Sequence, residues 1–136
     1  MRYPRPFRGK ALVLIQGAVV LDDHSAPEPD VAVLRWNEDR YRTQHVTPDD
    51  VLLLMEVSDS TLAYDRDVKA LDYAAAGIPE YWIWDVQHRA LLIHRDPHAD
   101  GYHQVTALRG EQTASPLAFP DLVLRVADIL PPKRPA

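Results

Sequence analysis

The sequence predicts an α/β domain in which a mixed β-sheet packs against one central helix. Short apolar or alternating segments stand on both sides of a single amphipathic segment, "YDRDVKALDYAAAG". The run "VLLLMEV" is almost entirely apolar, which indicates a central strand covered on both faces. The chain has 136 residues, of which 46% are hydrophobic and 26% charged, a balance that suits a single domain over residues 1–136 with its own core.

The first half of the chain predicts strands separated by polar loops. The segment "ALVLIQGAVVLDD" indicates one or two short strands broken near Gly17. The next segment, "HSAPEP", predicts a loop because its prolines oppose regular strand pairing. In "DVAVLRW", the alternation directs Asp30, Ala32 and Leu34 to one face of a strand. The polar connection "NEDRYRTQHVTPDD" then leads to the central strand.

The central helix follows the loop "SDST", whose residue types are typical of helix caps. Gly77 and Pro79 predict the end of the helix. At 100° per residue, a predicted buried stripe carries Tyr64, Val68, Leu71 and Ala75. Asp65, Lys69 and Asp72 lie on the adjoining stripe, so we expect Lys69 to flank the buried face.

The second half of the chain predicts more strands. The segments "EYWIWDV" and "ALLIHRD" indicate two strands joined through "QHR", and "GYHQVTALRG" indicates another. The segment "FPDLVLRVADIL" is compatible with a last strand or a short helix. Trp82 and Trp84 share one strand face, which indicates a core or partner interface more than base stacking. We expect residues 131–136 to form a frayed tail.

Composition excludes several classes of site and of protein. The chain has no cysteine, which rules out disulfide scaffolds and thiolate sites. The formal net charge of -5 opposes tight nonspecific DNA binding, but not a site whose carboxylates hold cations. No apolar run approaches the roughly 20 residues needed to cross a bilayer, and no signal peptide is evident. We therefore expect a cytoplasmic protein without a membrane partner.

Two acids stand at strand ends that an antiparallel pairing would bring together. Asp30 begins one predicted strand, and Glu56 ends the apolar run of another. Each side chain shares its face with an apolar layer, so both carboxylates would be partly buried and would repel each other. A divalent cation would relieve both penalties, and a small number of oxygen ligands suits Mg²⁺. The pattern therefore predicts a metal site at one edge of the sheet.

Lys69 is the third element of this predicted site. The helix begins a few residues after Glu56, so its first turns lie near the same sheet edge. A lysine on the flank of the helix can reach inward along its flexible stem. Its ammonium would orient or activate a water, or stabilise charge on a phosphate. Together Asp30, Glu56 and Lys69 predict a metal-assisted phosphodiesterase.

Four segments carry a family resemblance that spans about residues 13–130: "PEPDVAVLRW", "LLLMEVSDST", "YDRDVKALDYAAAGIPEYWIWDV" and "SPLAFPDLVLRVADIL". They resemble the Uma-type putative restriction endonuclease family of the PD-(D/E)XK nuclease superfamily. The resemblance implies a restriction-endonuclease-like fold and Mg²⁺- or Mn²⁺-dependent cleavage of DNA, often by a homodimer. It also implies that Asp30 and Glu56 are the metal-binding acids and that the backbone carbonyl of Val57 is a further metal ligand.

The chain departs from the family pattern in two places. The motif lysine would stand two residues after Glu56, where this chain has Ser58. The resemblance implies that Lys69 on the helix takes that role. Family members also carry about 50 further residues at the front, including a helix with an additional acid. This leaves open a fragment, a gap covered by a partner chain, or an inactive remnant.

Other polar residues have structural and functional interpretations side by side. Asp65 would pair with Lys69 at i,i+4 near the start of the helix, or orient it at the site. Arg66 would contact a phosphate or lie on the surface, and Ser58 would act as a loop or cap residue or support the site. A zinc site among His94, His98 and His103 is disfavoured because Pro97 and Gly101 break any helix that would align them.

Two alternatives to a nuclease stay open from the sequence. The first is a catalytically inactive nuclease-fold remnant that binds nucleic acid or a protein partner, favoured by the short front end and the acidic charge. The second is an oligomeric interaction module that assembles through an exposed sheet or through the face of Trp82 and Trp84.

Overall fold

The computed structural model describes residues 11–60 and 62–130. Thr61 in the loop "SDST" and the predicted frayed tail, residues 131–136, lie outside the described residues. Within the described part of the chain, the larger sheet contains β1 (Ala11–Ile15), β2 (Val31–Arg35), β3 (Val51–Ser58), β4 (Glu80–Asp85), β5 (Ala90–His98) and β6 (Gly101–Arg109).

The sheet keeps the order of the sequence, β1-β2-β3-β4-β5-β6. Its neighbouring strands are antiparallel except β3 and β4, which are parallel. Two parallel strands need a crossover connection, and the central helix supplies it between β3 and β4. The predicted mixed α/β fold class is therefore confirmed.

Short elements complete the described chain. A 3₁₀ turn at Pro48–Asp50 leads into β3. After the large sheet, β7 (Thr113–Ala114) pairs with β8 (Leu124–Arg125), and β8 runs directly into a helical turn at Val126–Ile129. The segment predicted as a strand or a helix therefore forms both. Among the described helices, none has the length and apolar character needed to span a lipid bilayer.

The central helix is continuous but irregular. It consists of α1 (Leu62–Tyr64), a π-helical segment (Asp65–Lys69) and α2 (Ala70–Ala75). The Ala70 N–H donates to the carbonyl of Asp65, the five-residue spacing that defines a π turn. Gly77 ends the helix with φ +81°, a left-handed conformation that glycine adopts without strain, so the predicted stop is confirmed.

The predicted buried stripe of this helix is wrong. Tyr64, Val68 and Leu71 are 55%, 44% and 44% exposed, and Ala75 is exposed as well. The buried residues are instead Asp65, Ala70, Tyr73 and Ala74. A π turn holds more residues than a regular turn and rotates the side chains that follow. In addition, the polar group of Asp65 finds hydrogen-bond partners beneath the helix, which makes its burial tolerable.

The core has one layer on each face of the sheet. Ala32, Leu34, Leu54 and Tyr81 lie on the face that carries the helix. The opposite face contains Val33, Leu53, Trp82, Trp84 and Ile93, covered by the region of β7, β8 and the final helical turn. The two tryptophan rings meet edge-on with centroids 6.0 Å apart, so their expected core position is confirmed.

An ion pair between the buried Glu80 and Arg95 links the start of β4 to β5. Glu80 is fully buried, and its Oε2 accepts hydrogen bonds from Trp82 Nε1 at 2.8 Å and from Arg95 Nε at 2.7 Å. Its Oε1 accepts from the Leu117 N–H at 2.9 Å. These bonds hold the loop after β7 against the sheet.

Candidate active site

The start of β2 and the end of β3 meet at one edge of the sheet. Their antiparallel register pairs Val31 with Met55, so Asp30, just before β2, lies beside the last residues of β3. Asp30 Oδ2 accepts a hydrogen bond from the Val57 N–H at 2.7 Å. The carboxylate of Asp30 is thereby held next to the backbone that immediately follows Glu56.

Glu56 is the buried acid of this edge. It is 4% exposed, and it lies on the same face as Leu54, beneath the helix. Burial raises the pKa of Glu56 and outweighs the opposing effect of Lys69, while the charges of Asp65 and Asp30 raise it further. A cation near this carboxylate would therefore stabilise its ionised form.

Lys69 extends from the central helix and forms ion pairs with two buried acids. Its Nζ lies 3.0 Å from Glu56 Oε2 and 3.2 Å from Asp65 Oδ1. Partial burial on its own lowers the pKa of Lys69, but the hydrogen bonds and attraction of Glu56 and Asp65 raise the net value above its usual range. The side chain is 26% exposed, so the ammonium stays charged and keeps access to solvent.

Ser58 and Asp65 tie the end of β3 to the helix. The hydroxyl of Ser58, which is fully buried, donates to Asp65 Oδ2. The hydroxyl of Tyr81 donates to the backbone carbonyl of Asp65 at 3.3 Å. Asp65 forms the expected i,i+4 pair with Lys69 and is fixed from two other directions, which restrains the lysine.

Arg66 occupies the surface side of the same turn. Its side chain is about half exposed, and its Nε contacts Asp67 Oδ1 at 2.9 Å. Its ion-pair partner is the neighbouring Asp67, and a phosphate contact by Arg66 stays a prediction.

Sequence reasoning missed two residues of this edge. Tyr73 lies one turn after Lys69, and its hydroxyl donates to Glu56 Oε1 at 3.3 Å. Asp85 ends β4 opposite Ser58 in the parallel register, and it is 4% exposed. The i,i+4 spacing could have identified Tyr73, and the rule that parallel strands end at a common edge could have identified Asp85.

The donor atoms at this edge fit a hard divalent cation. Asp30 precedes β2 and Glu56 lies near the end of β3, close enough that the charge of Asp30 raises the pKa of Glu56, and the backbone of Val57 lies against Asp30. Oxygen ligands of this kind suit Mg²⁺ or Mn²⁺. The raised pKa of Glu56 adds an electrostatic reason, because burial leaves the charge of this acid poorly solvated.

Comparison with known proteins gives a family and a fold. A family described as "Uma2: Putative restriction endonuclease" matches residues 2–127. A crystal structure described as a putative nuclease belonging to DUF820 from Anabaena variabilis superposes with a TM-score of 0.62 at 15% sequence identity. The match covers 87% of this chain but 66% of that one, slightly less than two thirds of its length. No curated protein matches the sequence.

Proposed function

Because the chain belongs to the Uma2 family of putative restriction endonucleases, we propose that it hydrolyses DNA phosphodiester bonds with Mg²⁺ or Mn²⁺ as cofactor. The predicted family resemblance is confirmed by the match over residues 2–127. The observation that carries the proposal is the placement of Lys69 Nζ 3.0 Å from the buried Glu56, at the edge where Asp30 meets Val57.

In this proposal, Asp30, Glu56 and the Val57 carbonyl hold the cation, as the family pattern implies. When bound, the cation would polarise a phosphoryl oxygen and offset the negative charge that develops during in-line hydrolysis. The site acids would also be relieved of mutual repulsion, which favours the ionised form of Glu56.

The remaining residues of the site act on the attacking water and the phosphate. Lys69 is charged, partly exposed and held by Glu56 and Asp65, so it can orient a water or stabilise a phosphate oxygen without first reorganising. Ser58 fixes Asp65, and Tyr73 fixes the second oxygen of Glu56. These contacts restrain both partners of the central ion pair, which is the kind of support that keeps catalytic groups in position.

The test is a plasmid-nicking assay with matched carboxylate-to-amide variants. Purified protein should nick supercoiled plasmid in Mg²⁺ or Mn²⁺ and lose that activity in excess chelator. Glu56→Gln and Asp30→Asn should each slow cleavage ~100-fold or more, since that factor is only ~2.7 kcal/mol of barrier. Glu28→Gln is the control, because Glu28 is an exposed acid two residues before Asp30. Equal cleavage by the unaltered protein, the two site variants and the control variant would refute the proposal.

A second candidate function is a catalytically inactive interaction module with the same fold. It is favoured by the exposed apolar side chains of Tyr64, Val68 and Leu71 on the central helix. In that case, Mg²⁺ or Mn²⁺ should leave the melting temperature unchanged, because no cation would bind the folded state at the two acids. A metal-dependent rise that disappears in Glu56→Gln would favour the nuclease.

The expected homodimer and the cytoplasmic location stay predictions. Light scattering across a concentration series would measure the oligomeric state. A dimer by itself is compatible with both candidate functions, so it must be paired with the nicking and melting measurements.

A further inference from the structure

The tip of the β5–β6 hairpin carries a second group of metal-ligating side chains. The register pairs Arg95 with Gln104, Pro97 with Tyr102 and His98 with Gly101. Alternate residues of a strand share a face, so Asp96 and His98 on β5 lie on the same face as His103 on β6. One ligand atom from each of these three residues lies within 4.8 Å of the others.

A hairpin, and not a helix, therefore aligns two of the three histidines for which the sequence disfavoured zinc. The third, His94, lies inside the domain, where its Nδ1 is 3.2 Å from the carbonyl of Tyr81. Its place in the cluster is taken by the carboxylate of Asp96.

The imidazoles of His98 and His103 stack on each other near the tip of the hairpin. The ring centroids of His98 and His103 lie 3.6 Å apart, with an interplanar angle of 11°. His98 Nε2 is 3.1 Å from Asp96 Oδ1, and His103 Nε2 is 2.7 Å from Asp100 Oδ1. Both rings therefore direct a nitrogen toward a carboxylate on the surface of the hairpin, and of the two acids only Asp100 lies outside the group of three.

The backbone contributes to this arrangement. Asp96 has φ +62°, a left-handed conformation that costs energy for a residue with a side chain. It occurs inside a strand that pairs regularly on both sides, at Arg95 and at Pro97. The left-handed conformation occurs at Asp96, and the carboxylate of the same residue contacts His98.

We propose that Asp96, His98 and His103 form a binding site for Zn²⁺ or another first-row transition-metal dication. Two imidazole nitrogens and one carboxylate are ligands that these ions favour, whereas Mg²⁺ prefers oxygen alone. Bonds of 2.0–2.1 Å in a tetrahedral site separate the ligand atoms by about 3.3 Å. The three side chains are exposed and can rotate, and the two imidazoles must turn out of their parallel stack to direct their nitrogens at one ion.

This site is separate from the two acids of the candidate active site. Glu80 at the start of β4 pairs with Arg95, whereas Glu56 pairs with Ile83 farther along β4. The hairpin tip therefore lies past the start of β4, whereas Glu56 lies toward the other end of the strands. The proposed metal site at the tip does not depend on the proposed nuclease function. A cation here would join the two strands of the hairpin at its tip and hold them in register.

Chelator-treated protein titrated with Zn²⁺ by calorimetry, and with Co²⁺ by visible absorption, tests the site. With excess Mg²⁺ present to occupy the two acids of the candidate active site, we expect one saturable equivalent of Zn²⁺ and a rise in melting temperature. His98→Ala and His103→Ala should each weaken binding at least ~10-fold, in the range known for altered metal sites. His45→Ala is the matched control, since His45 is an exposed histidine elsewhere in the chain.

Two further variants separate this proposal from others. With excess Mg²⁺ present, Glu56→Gln should keep the Zn²⁺ binding that depends on His98 and His103, even though its nicking should be slowed. His98→Gln and Asp96→Asn retain polar side chains and test the ligands if an alanine variant fails to fold, as judged by circular dichroism. Saturable binding that persists undiminished in the folded His98 and His103 variants, or no saturable binding at all, would overturn the proposal.

Discussion

Replacement of Lys69 by methionine provides the sharpest test of the electrostatics at the sheet edge. Methionine keeps a flexible side chain of similar length but removes the ammonium. The variant therefore loses the contacts of 3.0 Å to Glu56 and 3.2 Å to Asp65. Two buried carboxylates would then face each other without the cation that lies between them.

The expected loss follows from these contacts. A hydrogen bond to a charged group stabilises a fold by about 1.5–3 kcal/mol, and a buried charge left without its partner costs about 3–5 kcal/mol. Lys69 is 26% exposed, so water can enter and replace part of the lost interaction. We therefore expect the free energy of unfolding to fall by about 2–3 kcal/mol at pH 8.

The loss should depend on pH in a defined direction. The pKa of Glu56 is raised by burial, so the folded state holds this proton more tightly than the unfolded chain. The stability linked to such a group is present at low pH and disappears as pH rises through its folded pKa. Removal of Lys69 raises the pKa of Glu56 further, so protonation should rescue the variant as pH falls from 8 to about 5.

Urea unfolding at both pH values, followed by the fluorescence of the buried Trp82 and Trp84, measures the effect. Arg66→Met is the control, because Arg66 is an exposed cation of the same turn whose ion pair with Asp67 is screened by solvent and should contribute little to stability. A difference between Lys69→Met and the unaltered protein below about 0.5 kcal/mol, or one equal at both pH values, would refute the reasoning.

Three other changes test separate parts of the structure. Tyr73→Phe removes the hydroxyl that donates to Glu56 Oε1, so we expect about 1 kcal/mol lower stability in urea and slower nicking; unchanged values would show that this contact is unimportant. Arg95→Met leaves the buried Glu80 without its cation, and should cost about 3 kcal/mol in urea while folded protein still nicks plasmid. Burial lowers the pKa of His94, so the free energy of unfolding should fall as pH drops through about 6.5, where the unfolded histidine takes up a proton. The melting temperature of His94→Phe should therefore depend less on pH between 7 and 5.

Local patterns in the sequence predicted most of the fold. The apolar run before Glu56 became β3, the central strand, and the alternation after Asp30 became β2. Gly77 ended the helix where its freedom to adopt positive φ predicted. These features follow from short-range periodicity and backbone preferences, which act over a few residues and can be read from the chain itself.

The helix face could not be predicted in this way. Hydrophobic spacing favoured Tyr64, Val68 and Leu71 as the buried stripe, yet the structure buries Asp65 and Tyr73. The burial of Asp65 depends on hydrogen bonds from Ser58 and Lys69, and periodicity carries no information about such partners. Apolar residues are also common on protein surfaces, so spacing alone is a weak guide to which side of a helix is covered.

The sequence by itself determined the order of the elements, the family, and the acids and the lysine that the family pattern marks at the sheet edge. Tertiary structure decided which hydroxyl groups contact the buried acids: Tyr73 donates to Glu56, and Ser58 donates to Asp65. The reason is that hydrogen bonds and charge pairs depend on distances of about 3 Å between residues far apart in the chain. Such distances are set by strand register and by the π turn, and only the folded chain establishes both.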